Sequence, residues 1–319
     1  MMLLLAAGLL AGCSHVNEPS SVSDKEICVR TNVGKFQKGY RVRSIDDNTA
    51  LQAQDLRIDA YFHDTETKYL DGAKLVYDVD QWRFDDGAGN EVHYYWPIDG
   101  SVYDPSGANI TYESLDFVGF CPYAKPAYIG TLTYNYATGV SFTCDMSSYM
   151  TLASQTTMDE YLIAVSNEQT LATQTANSGV PLEFRHPLTQ VKFVFNTASG
   201  EHVQINSIGI TDAYTGGTCT YDGTTMSWAG TGSDTVKIAL ASPLKTGGTT
   251  ETSSVYVIPA NGTKYLIVNA TWDDWSDVTI SDYGTDVAFA WEPGHIYTYN
   301  LTIDKYGLKV DTLKFTEQW

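Results

Sequence analysis

The chain has 319 residues, with 19 basic and 38 acidic side chains and a net charge of −19. Such an acidic balance argues against a nucleic-acid partner, because phosphate backbones attract basic surfaces. Only 18% of the residues are charged, whereas 22 are tyrosine and 7 are tryptophan. Aromatic residues are favoured in strands, so the composition predicts a β-rich protein.

The first residues form a short apolar run that ends in Leu10-Ala11-Gly12-Cys13. About eleven apolar residues are too few to span a bilayer, so the run predicts a signal peptide. Its end is similar to the bacterial lipobox, in which cleavage precedes a cysteine that is then diacylated. We therefore expect residues 1–12 to be a lipoprotein signal peptide and Cys13 to carry a lipid that tethers the exported protein. The alternative is an ordinary secretory signal in which Cys13 is incidental.

Residues 13–43 begin as a polar tether and continue into a predicted pro-segment. A strand candidate covers 26–33, and a basic cluster unusual for this acidic protein then contains Arg30, Lys35, Lys38, Arg41 and Arg43. A run of like charges is most often a solvated linker. An exposed arginine in a loop also fits the pocket of a trypsin-like protease, which makes the cluster a candidate processing site.

From Leu56 onward the sequence shows short alternating runs separated by turn residues, for example Leu56–Phe62. Strands at roughly ten-residue spacing with turn signals between them predict β-sandwiches. Met158–Val165 is a weak helical candidate, and the aperiodic stretch 170–179 is the best domain boundary. We therefore predict an all-β protein with two sandwich domains, residues 44–179 and 180–319.

The last thirty residues have the clearest pattern. A Trp291-Glu292-Pro293-Gly294 turn precedes an alternating strand with Tyr297, Tyr299, Leu301 and Ile303 on one face. In the final stretch, Leu308 and Val310 share one parity, and Leu313, Phe315 and Trp319 share the other. This phase slip predicts a bulge at Asp311-Thr312, or two short strands that meet at a bend. Such an apolar terminal strand either pairs within its own sheet or fills a groove in another molecule.

The sequence contains no motif for catalysis, so we expect a protein that is not an enzyme and that uses no cofactor and no metal. An alternative, a carbohydrate enzyme on a β-sandwich, would need two acids facing one cleft. Trp272 and Trp275 flank two aspartates and are candidate glycan contacts, although Trp272 also ends a buried strand. Cys121–Cys144 is the candidate disulfide, with free buried thiols as the alternative.

Together these features resemble the fimbrillins, the type V pilus subunits of Gram-negative anaerobes and their surface relatives. The resemblance is carried by the lipobox, the basic segment that ends near Arg43, and the terminal Trp319. It is carried further by two patterns, Leu182-x-Phe184-x-His186 to Val191-x-Phe193 and Trp291-x-Pro293-Gly294-x-x-Tyr297-x-Tyr299-x-Leu301. It covers essentially the whole sequence.

The resemblance implies two tandem transthyretin-like β-sandwich domains after a lipoprotein signal and an N-terminal pro-segment. It also implies arginine-specific cleavage at Arg43–Ser44, with Arg41–Val42 as the second choice, and release of the pro-segment strand from its groove. The C-terminal strand 308–319 of another subunit would then fill that groove, using Leu308, Val310, Leu313, Phe315 and Trp319.

The partners implied are other pilus subunits, a processing protease and the outer membrane, with a host glycan or protein as a further candidate. The expected function is therefore a structural pilus subunit that contributes to adhesion. An alternative with the same fold is a lipid-anchored base subunit, a tip adhesin or a stand-alone surface lipoprotein that binds glycan or protein.

Overall fold

The computed structural model describes residues 25–33, 45, 47–99, 112–197, 203–246, 249–251, 254–273, 278–304 and 307–316. Three short α-helices occur in them: α1 (Asn48–Gln52), α2 (Leu152–Gln155) and α3 (Leu171–Asn177). The strands of the first half are β1 (Val29–Val33), β2 (Leu56–Phe62), β3 (Lys68–Asp78), β4 (Gln81–Asp85), β5 (Glu91–Val92), β6 (Leu115–Cys121), β7 (Ile129–Asn135), β8 (Gly139–Asp145) and β9 (Leu162–Gln169).

The later strands are longer on average. They are β10 (Val180–Phe184), β11 (Thr189–Thr197), β12 (Val203–Ala213), β13 (Gly216–Tyr221), β14 (Met226–Thr231), β15 (Asp234–Thr246), β16 (Thr249–Glu251), β17 (Val255–Val257), β18 (Asn261–Asp273), β19 (Val278–Ala290), β20 (Ile296–Asp304) and β21 (Gly307–Thr316). The predicted all-β fold is confirmed.

The first half is organised around a six-stranded antiparallel sheet of order β5-β4-β3-β2-β6-β9. All seven residues of β6 are buried, because this sheet is covered on both faces. Phe117 of β6 belongs to a smaller hydrophobic cluster that also contains β1 and β10. Its neighbours Val118 and Phe120 belong to a larger cluster with β7, β8 and β13. Alternate side chains of one strand therefore serve two cores.

The second half forms two further sheets that share the larger cluster. One has the order β16-β11-β20-β21, with β17 also paired to β11, and the other has the order β15-β12-β18-β19. Phe193 and Tyr299 of the first sheet are buried in the same cluster as Ile208 and Val268 of the second. Two sheets that bury their apolar faces in one core form a β-sandwich.

The predicted domain boundary lies beside several contacts between the halves. β10 begins at Val180, and its side chains Val180, Leu182 and Phe184 are buried in the smaller cluster of the first half. The β13–β14 hairpin extends the sheet of β7 and β8, since β13 pairs with β8. The division into residues 44–179 and 180–319 stays a prediction.

Two predicted elements differ from the structure. The helical candidate Met158–Val165 is wrong, because β9 begins at Leu162 and its first five residues are buried between neighbouring layers. The aperiodic stretch 170–179 contains α3, which begins with a capping box between Thr170 and Thr173. The capping hydrogen bonds satisfy the first turn of a helix that has little apolar periodicity.

The candidate disulfide between Cys121 and Cys144 is also wrong. Both side chains are buried free thiols, as is Cys219. Cys121 lies in the smaller cluster and Cys144 in the larger one, on opposite sides of the six-stranded sheet. The alternative of free buried thiols is the one that the structure bears out.

Candidate functional site

The N-terminal strand β1 fills a groove beside β10. The two strands pair in parallel, with Val29 opposite Val180 and Val33 opposite Phe184. Ile27, Val29 and Val33 keep only 1%, 8% and 6% of their surface exposed. Within the described residues β10 is the only ladder partner of β1. Just ahead of β1, Ile27 N–H donates to Tyr94 O at 2.7 Å. The segment is thus a separate strand that covers part of the smaller cluster.

The described structure resumes at Ile45, which is buried. Its N–H donates to Glu160 Oε2 at 2.6 Å. The helix α1 follows, and its Leu51 is fully buried in the smaller cluster. Residues 34–44 therefore connect two fixed points, β1 on one side and Ile45 on the other.

Glu160 is a buried carboxylate shared by several parts of the protein. Its Oε1 lies 3.0 Å from His186 Nδ1 and accepts a hydrogen bond from Tyr256 Oη at 2.9 Å. Burial by itself raises the pKa of Glu160. The charge and hydrogen bond of His186 and the hydrogen bonds from Ile45 and Tyr256 have the opposite effect, and together they lower the pKa below its usual value. The ionised carboxylate therefore joins Ile45 to β17 and to the β10–β11 link.

The closing turn Trp291–Gly294 is held by hydrogen bonds on both sides. Trp291 is buried, and its Nε1 donates to Tyr299 Oη at 3.0 Å. Tyr297 Oη donates to Ala290 O at 2.6 Å, and Gly294 has the positive φ of 69° that favours glycine. The four predicted inward residues of β20 are all buried. The turn thus fixes the entry of β20 into its sheet.

A cleft of about 310 Å³ lies beside this turn. Two of its polar side chains have partners within the protein: Arg185 pairs with Glu183 at 2.8 Å, and His295 Nδ1 contacts Pro293 O at 2.8 Å. His186, also in the lining, is paired with Glu160. These three side chains of the cleft are therefore engaged within the protein.

The predicted terminal strand is present as β21 and pairs antiparallel with β20 of its own sheet. Asn300 pairs with Thr312 and Leu301 with Val310, which leaves Asp311 as an extra residue. The predicted phase slip is therefore a bulge. Leu308 is buried and Val310 packs against the larger cluster. In the described structure β21 stands at the end of the strand order, so it is an edge strand.

Most of the predicted processing and contact residues lie outside the described part of the protein, namely Cys13, Arg41, Arg43, Ser44, Trp275 and Trp319. For Leu313 and Phe315 the structure describes the backbone pairing with Tyr299 and Tyr297. Trp272 is partly buried in β18 and packs against the larger cluster. A glycan contact at Trp272 and Trp275 stays a prediction.

The structure brings together one set of metal-ligand types that sequence spacing does not reveal. One ligand atom each from Glu26, Glu91 and His93 lies within 4.8 Å of the others. His93 Nδ1 and Glu26 Oε1 are 2.8 Å apart, so these two groups already pair with each other. The described helices include none that is both long and apolar enough to cross a membrane.

Solved structures that resemble this chain come from Bacteroides and Porphyromonas species. A candidate cell adhesion protein from Bacteroides uniformis has a TM-score of 0.52 and 17% identity, over 92% of this chain and 97% of that one. A candidate cell adhesion protein from Bacteroides eggerthii has a TM-score of 0.48 and 11% identity, over 94% and 98%. The tip fimbrial protein Mfa3 from Porphyromonas gingivalis has a TM-score of 0.44 and 10% identity, over 93% and 100%.

Among curated protein sequences none matches this one. The likeness to the Bacteroides uniformis protein supports the all-β fold. A family model described as fimbrillin-like matches residues 48–317, which is most of the 319 residues, and the chain therefore belongs to the fimbrillin-like family.

Proposed function

We propose that this protein is a structural subunit of a cell-surface fimbria, exported as a lipoprotein through Cys13, processed after Arg43, and joined to its neighbours by strand addition. Membership of the fimbrillin-like family supports a fimbrial or adhesin subunit at the cell surface, with a structural and not an enzymatic role. The finer steps are our proposal and rest on the arrangement of β1.

The observation that supports the proposal is that β1 is a separate strand that covers part of the smaller cluster. It brings three buried apolar side chains to the smaller cluster, Ile27, Val29 and Val33. Burying each such side chain is worth roughly 1.5–3 kcal/mol, so their loss exposes a groove that another strand would gain about 5–9 kcal/mol by filling, before entropy costs. An extended apolar segment should therefore bind favourably in the emptied groove.

The connection between β1 and the rest of the protein supports cleavage at this place. The segment 34–44 carries Arg41 and Arg43 and lies between β1 and the anchored Ile45. A cut after either arginine would separate β1 from the body. Ile45 and α1 would stay, because they are buried in the body by contacts of their own.

The donor would be the C-terminal strand 308–319 of another subunit. In the monomer β21 pairs with β20, and Leu308 is buried in the larger cluster. Donation therefore requires β21 to leave its own sheet, and a subunit that retains it cannot donate. The proposed polymerisation is an exchange between two edge positions.

The test is the intact mass and N-terminal sequence of the protein on the surface of its own cells. We expect a polypeptide that starts at Ser44, or at Val42, within large detergent-resistant species. Arg43→Ala together with Arg41→Ala should leave an acylated, uncut and monomeric protein. Arg30→Ala is the matched control, because Arg30 lies within β1 opposite Pro181 and should not be the processing site.

The proposal fails if the double variant is still released and polymerised, or if the wild-type protein on cells is a diacylated monomer that starts at Cys13. The second result would leave a lipid-anchored base subunit or a surface-binding lipoprotein.

A further inference from the structure

The groove of β1 contains side-chain groups that form hydrogen bonds with the backbone of the strand inside it. Gln174, on α3, accepts a hydrogen bond from Cys28 N–H through Oε1 at 2.9 Å. Its Nε2 donates to Glu26 O at 2.9 Å. The carboxamide thus pairs with a donor and an acceptor of an extended backbone, as a neighbouring strand would.

A second carboxamide contacts the other end of the strand. Asn48 Oδ1, in the first turn of α1, accepts a hydrogen bond from Val33 N–H at 2.9 Å. Cys28 and Val33 are five residues apart, so the two contacts are about 17 Å apart along an extended strand. Both ends of the strand are therefore held through hydrogen bonds to its backbone.

Gln174 is also held by groups outside the strand. Its Oε1 also accepts from Trp96 Nε1 at 3.0 Å, and both side chains are buried, with exposures of 8% and 2%. The helix that carries Gln174 begins with the capping box of Thr170 and Thr173. Because these contacts come from the body of the protein, they remain when the strand leaves.

We propose that Gln174 and Asn48 form a backbone clamp that binds whichever strand occupies the groove. The first occupant is β1 of the same polypeptide. The second, which rests on the proposed function, is the C-terminal strand of another copy of this protein. The clamp accepts both because each presents one backbone C=O and two backbone N–H groups at the same positions, whatever its sequence.

The test measures strand binding by the unacylated full-length protein after an arginine-specific protease has cut the 34–44 segment and its pro-segment has been removed. The probes are two labelled peptides, one of residues 25–33 with Cys28→Ser and one of residues 307–319. Gln174→Met removes two hydrogen bonds worth roughly 0.5–1.5 kcal/mol each, so the first peptide should bind about tenfold to hundredfold more weakly. Asn48→Ala removes one bond and should weaken binding about threefold to tenfold.

The matched control is Gln169→Met. The Gln169 carboxamide donates to Asn167 O and accepts from Thr173 Oγ1, neither of which belongs to β1. We expect this variant to bind both peptides as the wild type does. Gln174→Glu is the second variant, since it keeps an acceptor for Cys28 N–H and Trp96 Nε1 but loses the donor to Glu26 O. It should also weaken binding, whereas a role limited to supporting Trp96 would leave binding unchanged.

Hydrogen exchange on the uncut protein gives a readout that needs no cleavage. The amides of Cys28 and Val33 should exchange faster in Gln174→Met and Asn48→Ala respectively, while the amides of β2 keep their protection. The clamp is refuted if Gln174→Met and Gln174→Glu bind the 25–33 peptide within twofold of the wild type and exchange is unchanged. If the wild type binds that peptide but not the 307–319 peptide, the clamp holds only β1, and the second occupant and the proposed strand addition both fail.

Discussion

Gly119 lies in the central strand β6, directly beneath β10, the strand that pairs with β1. It has the same parity as Phe117, and both therefore point into the smaller cluster. A Cβ at Gly119 would meet Phe184 Cζ at 2.9 Å and Leu182 Cδ1 at 3.3 Å. Both of these atoms belong to β10, the strand that holds β1. A valine at this position therefore pushes on the floor of the groove.

The sign of the effect follows from two opposing terms. Replacing a strand glycine removes a conformational entropy penalty of about 0.5–1 kcal/mol. Forcing extra methyl groups into a packed core costs about 1–3 kcal/mol. The nearest contact is shorter than real Cβ contacts, and the obstacle is a fully buried Phe184 ring. We therefore expect Gly119→Val to lower the free energy of unfolding by about 1–2 kcal/mol.

Urea denaturation would measure the stability, and hydrogen exchange would locate the change. Protection should fall most at the amides of β1 and β10. The control is Gly307→Val, because a Cβ at Gly307 meets no atom within 4 Å and the residue has no positive φ. Equal stability of Gly119→Val and the wild type, or a loss spread evenly over both halves, would refute the reasoning.

Three further predictions concern the groups that fix the strands. The hydrogen bond to Glu26 raises the pKa of His93. The charged pair should therefore stabilise the bound pro-segment most below about pH 6.5, and this small stabilisation should be lost as the pH rises through the raised pKa of His93. Release of the pro-segment peptide from cut protein should therefore be slower at pH 5.5 than at pH 8, by a margin that disappears in His93→Ala. Trp291→Phe loses the hydrogen bond to Tyr299 and leaves a small cavity, so urea denaturation should show a loss of about 1–3 kcal/mol, and a loss below about 0.5 would contradict this. Glu160→Leu leaves buried donors without their carboxylate, so urea denaturation should show a free energy of unfolding lower by about 3–5 kcal/mol. An unchanged free energy of unfolding would contradict this and would mean that the packing of the leucine compensates for the lost carboxylate.

The alternation of apolar and polar residues predicted those strands that bury one face. Leu56–Phe62 is β2 with the predicted bounds, and the inward residues of β20 are all buried. The change of face at Asp311-Thr312 predicts a bulge or a bend, because one extra residue in a strand moves the side chains that follow it to the opposite face, and the structure has the bulge. These features depend on local pattern, which a single sequence contains.

The groove could not be predicted in the same way. β1 pairs with β10 across about 150 residues, and nothing in the sequence pairs Val29 with Val180. Gln174 lies in a polar stretch without periodicity, where the only available sign of a helix was the Thr170-x-x-Thr173 spacing. Glu160 is one of many carboxylates, and its burial depends on contacts from three distant segments. Long-range strand pairing and buried polar contacts depend on the tertiary structure, and local sequence propensity does not predict them.

The arrangement of β1 also explains why a protease cut would act as a switch under the proposed function. While residues 34–44 are intact, β1 is tethered to its groove, and short linkers of this kind give effective concentrations in the millimolar range. No strand from another subunit in dilute solution competes with that. After the cut, β1 must bind as a separate molecule, and its five register pairs with β10 are few. A donor strand held next to the groove by a neighbouring subunit then has the advantage of proximity that β1 has lost. The tether therefore decides when β1 can leave the groove, and the donor strand must in turn give up its own pairing with β20.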